Sequence, residues 1–223
     1  MSLRKHISKN EGRANPNGSG SQIFQTESMN GKSDLEIWKE FRQGDDRAFI
    51  HIYRSYSESM FNYGCQFTKQ KDFVRDCIQD LFCELIDNNR KLGDVLSIKG
   101  YLFKCIKRKV LAGLKKKSKQ ELIDVNNAGF QIAIGPELVE ITQTFDVDFC
   151  HSLQKAVNKL PLQQREVILL HFYEGLTYQE ISEIIGIKVK SVRMQAYRAI
   201  QSLRQGLNAS EFKLAVSLLL ISS

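Results

Sequence analysis

Three successive stretches of this chain repeat apolar residues at helical spacing, and that repetition excludes most fold classes. From Ala48 the apolar positions are Ala48, Phe49, Ile52, Tyr53, Tyr56, Met60 and Phe61. They fall at i, i+1, i+4 and i+5, the stripe of an amphipathic helix. Cys77, Ile78, Leu81, Phe82, Leu85 and Ile86 repeat the pattern. A third helix is predicted from about Ile98 to Lys117, with Tyr101, Leu102, Cys105, Ile106, Val110 and Leu114 on its inner side. No stretch alternates with period two for long enough to compete as a strand. The spacing predicts an all-α protein with a helical bundle over residues 34–118.

The second half predicts a different helical unit. Pro161 suits an early helical position and is followed by Val167, Ile168, Leu170 and Phe172, with Gly175 as the stop. Thr177-Tyr-Gln-Glu180 has the S/T-x-x-E form of a capping box. It opens a short helix with Ile181, Ile184 and Ile185 inside. Gly186-Ile187-Lys188 is a three-residue turn, and a further helix runs to about Gln205. Two helices joined by such a turn make a helix-turn-helix. On the second of them Val189, Val192, Ala196, Ala199, Ile200 and Leu203 face inward at ~100° per residue. Ser191, Met194, Gln195 and Arg198 face outward, flanked by Lys190 and Arg193. That polar, basic outer face suits major-groove reading. Gln195 matches adenine, and Arg198 matches guanine or a phosphate. Lys188 and Lys190 stand near the helix N-terminus, where phosphates are favoured.

Charge divides the chain in the same way. The 223 residues carry a net +7, with a sequence pI near 9.1. That total admits acidic partners such as nucleic acid, and equally a merely soluble basic protein. Residues 34–119 hold +6, residues 120–150 hold six acids and no base, and residues 151–206 hold +4. Two basic blocks around an acidic connector predict two domains and a flexible linker. The polar, Gly-rich residues 1–33 are predicted to be disordered. The breakers Asn126, Asn127, Gly129, Gly135 and Pro136 lie in the connector. The short apolar tail from 208 predicts a helix packed on the second domain or a partner-binding segment.

Two helix surfaces of the first domain have opposite character. Lys104, Lys107, Arg108 and Lys115 share an arc of roughly 100° and can track a phosphate backbone. Tyr101 and Phe103, at the start of that arc, suit stacking on unpaired bases. On the preceding helix Asp76, Asp80, Glu84 and Asp87 form an acidic stripe, which repels DNA and suits a basic protein partner. Each pattern taken alone also fits a solvated helix face. The five cysteines include no CxxC pair, which argues for reduced thiols and against a zinc ribbon. No apolar run approaches the ~18 residues of a membrane span, and the start has no apolar signal core. A cytoplasmic protein without stable membrane insertion is expected. His6, His51, His151 and His171 are scattered, with no carboxylates at ligand spacing, so no catalytic residue, metal or cofactor is expected.

Taken in order, these segments resemble the extracytoplasmic-function (ECF) sigma factors of the sigma-70 family. Gly44-Asp-Asp-Arg-Ala48-Phe49, with Tyr53 and Tyr56, resembles the start of sigma region 2. Asp76-Cys-Ile-Gln79-Asp80-Leu-Phe82 resembles the D-x-x-Q-[DE]-x-F core-binding segment. Tyr101-Leu102-Phe103-Lys104 stands where that family has W-L-[YF]-[RK]. Leu160-Pro161, Arg165-Glu166-Val167 and Glu174 through Ile181 resemble the opening of region 4. Ser191-Val192-Arg193 and Tyr197-Arg198-Ala199 resemble its recognition helix.

The resemblance implies a non-enzymatic transcription initiation factor of two helical domains. Residues 34–118 would bind core RNA polymerase and the −10 element, 119–149 would be the linker, and 150–207 would bind the −35 element. Asp76, Gln79, Asp80, Phe82 and Glu84 would meet the polymerase, with the β′ coiled coil and β flap as expected partners. Tyr101, Lys104, Lys107, Arg108 and Lys115 would hold the melted −10 strand. Thr177, Tyr178, Gln179, Lys188, Lys190, Ser191, Arg193, Met194, Gln195 and Arg198 would contact the −35 duplex. An anti-sigma factor is the further partner the resemblance implies. A simple helix-turn-helix repressor or activator would not need both the Asp76–Phe82 segment and the basic helix after it.

Overall fold

The computed structural model describes residues 31–121 and 147–221, and every regular element among them is helical. The first half begins with α1 (Asp34–Gln43), a helix additional to the three expected from the apolar spacing. Its signal is present all the same. Ser33-Asp-Leu-Glu36 closes a capping box: the Ser33 N–H donates to Glu36 Oε2 at 2.8 Å, and Ser33 Oγ accepts from the Glu36 N–H at 3.4 Å. Ile37, Trp38 and Phe41 then point inward. Trp38 is wholly buried and donates its indole N–H to the Gly93 carbonyl at 2.8 Å. The helix ends at Gly44, whose φ of 93° only glycine adopts without strain.

Helix α2 (Asp46–Gly64) starts two residues before Ala48 because the Asp45 carboxylate accepts the Arg47 N–H at 2.7 Å. Helix α3 (Lys71–Asn88) leads through a 3₁₀ turn (Asn89–Lys91) to α4 (Ile98–Glu121). These helices enclose Trp38, Ile52, Met60, Tyr63, Val74, Leu102, Phe103 and Ile106. The polar start of the chain, most of the acidic connector and the breakers within it lie outside the described residues.

The second half comprises α5 (Val147–Asn158), α6 (Leu162–Ile168), α7 (Tyr178–Ile185), α8 (Val189–Gly206) and α9 (Ala209–Ile221). Pro161 stands at the N-cap of α6, just before its first turn. That helix widens into a π turn over Leu169–Tyr173 and stops at Gly175, with φ 68°. Phe149, Val157, Leu160, Ile168, Leu203 and Ala215 form a local core, so α9 packs on α5 and α8.

The halves do not stand apart. Val167, Leu170, Leu176, Ile181, Ile184 and Val192 join the same apolar cluster as Trp38 and Ile106, and α4 packs against α7. The cysteines Cys65, Cys77, Cys83 and Cys105 are free thiols, two buried and two half-buried. Burial raises the thiols of Cys65 and Cys105 above their ordinary value. Among the described residues no helix is long and apolar enough to cross a membrane.

Helix α2 meets α3 closely at Gly64, where an added Cβ would stand 2.5 Å from Val74 Cγ1. Val74 is fully buried and has no room to yield. Overpacking of that kind costs about 1–3 kcal/mol, against about 1 kcal/mol gained in helix propensity. We expect Gly64→Ala to lower the urea midpoint of unfolding. Adding Val74→Ala should recover part of the loss in a double-mutant cycle.

Candidate nucleic-acid interface

The helix-turn-helix is built by local chemistry. The Thr177 N–H and hydroxyl donate to Glu180 Oε2 at 2.7 and 2.6 Å, and Thr177 Oγ1 accepts the Glu180 N–H at 3.3 Å. This capping box fixes the start of α7. Gly186, at φ 80°, turns the chain into α8. Val192, Ala196, Ala199 and Leu203 are buried beneath α8, while Val189 and Ile200 are half-buried at its margins. Lys188, Lys190, Ser191, Arg193, Met194 and Arg198 are exposed. Gln195 is half-buried, its amide nitrogen 3.5 Å from Gln163 Oε1. The outward face therefore offers one amide, Gln195, and several cations on a rigid helix, a combination suited to reading base edges and gripping phosphates.

Two residues from the turn side have other work. The Thr177 hydroxyl is engaged in the cap. Tyr178 is half-buried, its ring centroid 4.2 Å from that of His171 and 5.9 Å from the Arg193 guanidinium. The ring therefore packs between His171 and the Arg193 guanidinium. His171 packs here through Nδ1, 2.8 Å from the Leu176 carbonyl. Gln179 is exposed.

On α3 the carboxylates Asp76, Asp80, Glu84 and Asp87 are exposed, as is Gln79. Glu84 accepts Lys109 Nζ at 2.6 Å. Phe82 differs from the expectation. It is buried at 2% exposure, with its ring edge-on to Phe49 and Tyr53, because the i+4 repeat from Ile78 turns it into the core. It holds α3 in place and cannot touch a partner directly.

Helix α4 brings further corrections. Phe103 is wholly buried and stacks on Tyr63 at 5.0 Å, so it is not available to a base. Tyr101 is half-buried and edge-on to Trp38 at 5.2 Å. Burial and the neighbouring Cys105 thiol push its hydroxyl up to about 12. Arg108 and Lys115 are exposed. Lys107 is only 14% exposed and pairs with Glu166 at 2.7 Å. Glu166 also accepts the Tyr63 hydroxyl at 2.5 Å. Lys104 stands 3.6 Å from Glu183, and Lys99 pairs with Glu174 at 2.8 Å. In this arrangement Lys107 is not open to DNA, and Lys104 faces a carboxylate of the second half. Among the described residues no group of His, Cys, Asp and Glu stands together as a metal site.

Residues 150–203 match the family described as Sigma-70, region 4. Over longer spans the chain is similar to RNA polymerase sigma factor SigV of Bacillus subtilis (strain 168), with 24% identity across 67% of this chain and 84% of that one. ECF RNA polymerase sigma factor SigW of the same organism is 22% identical, across 76% and 94%. In structure the chain is similar to the sigma factor RpoE of Bartonella quintana, solved with the anti-sigma factor NepR. The TM-score is 0.53 at 19% identity, covering 77% of this chain and 98% of that one. It is also similar to CnrH, solved with the cytosolic domain of CnrY, with a TM-score of 0.52 at 18% identity, covering 80% and 99%.

Thr177→Ala removes the cap and should cost about 1 kcal/mol of stability, read as a lower denaturation midpoint. The Glu180 carboxyl adds a pH dependence. Burial alone would raise it, but hydrogen bonds from Ser97 and Thr177 and the charge of Lys99 hold it below the ordinary 4.5. Its stabilisation is present above 4.5 and is lost as pH falls through the lowered folded value. Acid unfolding should be less steep in Glu180→Gln, as followed by circular dichroism.

Proposed function

Because the chain belongs to the sigma-70 family as an extracytoplasmic-function sigma factor, we propose that it binds core RNA polymerase and directs it to specific promoters. The observation that carries this reading is the exposed polar, basic face of α8 on a capped turn, within the stretch that matches region 4. Residues 150–207 take the −35 duplex through Lys188, Lys190, Ser191, Arg193, Met194, Gln195 and Arg198, with Gln179 at the edge. Thr177 and Tyr178 set the angle of that face. Residues 34–118 take the polymerase on the exposed acidic face of α3, through Asp76, Gln79, Asp80 and Glu84. They hold the melted −10 strand through Tyr101, Lys104, Arg108 and Lys115, with Lys107 joining when its partner is removed. Residues 119–149 are the linker and residues 1–33 an extension.

Mechanistically, two weak contacts on one tethered particle suffice, since each raises the local concentration of the other. Capture of unpaired −10 bases offsets the few kcal/mol of unstacking. Function therefore rests on binding, and a cytoplasmic location follows from it. An anti-sigma factor is the fitting regulator, as in the solved complexes of the similar chains.

Run-off transcription with core polymerase on genomic fragments tests this reading. Promoter-specific transcripts that require the protein are expected, and their absence would overturn it. Asp80→Arg should weaken co-purification with core polymerase while leaving the circular dichroism spectrum unchanged. Arg198→Ala should reduce −35-dependent transcript by about tenfold, the weight of one good base or phosphate contact.

A further inference from the structure

A short aromatic column links the π turn, α7 and α8 at the margin of the helix-turn-helix. His171 lies at the centre of the π turn, four residues after fully buried Val167, yet it is only half-buried. Helices that widen in this way often do so at functional sites. The His171 Nδ1 stands 2.8 Å from the Leu176 carbonyl, which can only accept, so Nδ1 carries the proton and the ring is held in one orientation. The Leu176 N–H donates in turn to the Leu170 carbonyl at 2.9 Å, which closes this loop on the π turn. The imidazole centroid then stands 4.2 Å from that of Tyr178, with 31° between the ring planes. Tyr178 is the first residue of α7, and the Arg193 guanidinium of α8 stands 5.9 Å from its ring centroid.

Arg193 is exposed, and among the described residues no carboxylate pairs with it, so a ring rather than an acid fixes its direction. The difference matters to function. A carboxylate would neutralise the guanidinium, whereas an aromatic face holds it while leaving its charge and its N–H donors for another partner. At ~100° per residue Arg193 is turned about 100° from Met194, to the flank of α8 nearest Tyr178. A cation on the flank of a recognition helix suits the sugar-phosphate backbone, which fixes orientation and carries no sequence information. We propose that His171 is a positioning residue for duplex binding: its ring seats Tyr178, and Tyr178 holds the Arg193 guanidinium at the flank of α8 to grip a phosphate. The π turn is what delivers the imidazole to that place, and Arg193 adds affinity without regard to sequence.

The inference rests on the −35 reading of residues 150–207, and the experiment separates the two. Full-length protein is titrated into a fluorescein-labelled, mixed-sequence DNA duplex over a range of salt, at about pH 8, where imidazole is neutral. Arg193→Ala should lower the slope of log K against log salt by about 0.9, the weight of one phosphate contact. His171→Ala and Tyr178→Leu should each weaken binding about threefold, the weight of one exposed cation–π contact. In the Arg193→Ala background neither should weaken it further, whereas damage to the fold would weaken both backgrounds alike. His171→Phe and Tyr178→Phe keep the two rings and should retain the affinity of the unaltered chain. Should His171→Ala fail to fold by circular dichroism, His171→Leu, which keeps the volume without the ring, carries the same expectation.

Equal losses with and without Arg193 would overturn the positioning role. So would full affinity in His171→Ala and Tyr178→Leu, or a loss in the two Phe variants as large as in these. An unchanged salt slope in Arg193→Ala, or no duplex binding by the unaltered protein, would overturn it as well. Run-off transcription by the unaltered protein reports separately on the promoter reading, and success there with any of these failures would discard the positioning role alone.

Discussion

The Glu166 carboxylate is the contact on which the tertiary arrangement turns. It is 3% exposed, yet it is held between the Tyr63 hydroxyl at 2.5 Å and the Lys107 ammonium at 2.7 Å. Burying a carboxylate and an ammonium costs several kcal/mol for each ion, so such a pair persists only with good geometry and further hydrogen bonds. Both conditions are met here. Burial, with the Glu166 charge beside it, raises the Tyr63 hydroxyl well above its ordinary value, so it remains a donor. Its ring stacks on Phe103, which in turn locks α4. One acid of the second half thus holds two residues of the first, Tyr63 on α2 and Lys107 on α4.

That contact makes the two basic surfaces unequal in exposure. The face of α8 is complete and exposed, because its geometry depends on a local cap, a glycine turn and a buried apolar row. The face of α4 is built but partly covered, because its lysines find carboxylates within the chain.

Much of this was legible in the residues. The periodicity from Ala48, Cys77 and Ile98 marks three of the first-half helices, and Thr177–Glu180 with Gly186 marks the helix-turn-helix. Such features rest on i, i+3 and i+4 relations that a linear reading contains. The first helix, with its Ser33–Glu36 box and Trp38, carries the same signals, but over only ten residues that border a polar stretch. Phe82 and Phe103 match contact motifs, but a motif names a residue without saying which way it points. Phe82 is buried by the phase of α3, four residues after Ile78, whereas Phe103 lies about 160° around α4 from Cys105 and is buried because Tyr63 of α2 covers that second side.

The pairing of Lys107 with Glu166 and of Lys99 with Glu174 had no sequence signal at all. The partners are 59 and 75 residues apart, and no local rule links them. By itself the sequence determined the helical class, the helix-turn-helix, its outward face and the segregation of charge into two basic blocks. Helix propensity, caps and amphipathic period are local, and so they are written in neighbouring residues. Only the tertiary structure decided which lysines meet solvent and which meet carboxylates, because that depends on how two separately encoded cores dock and on which charges the shared apolar seam brings within reach.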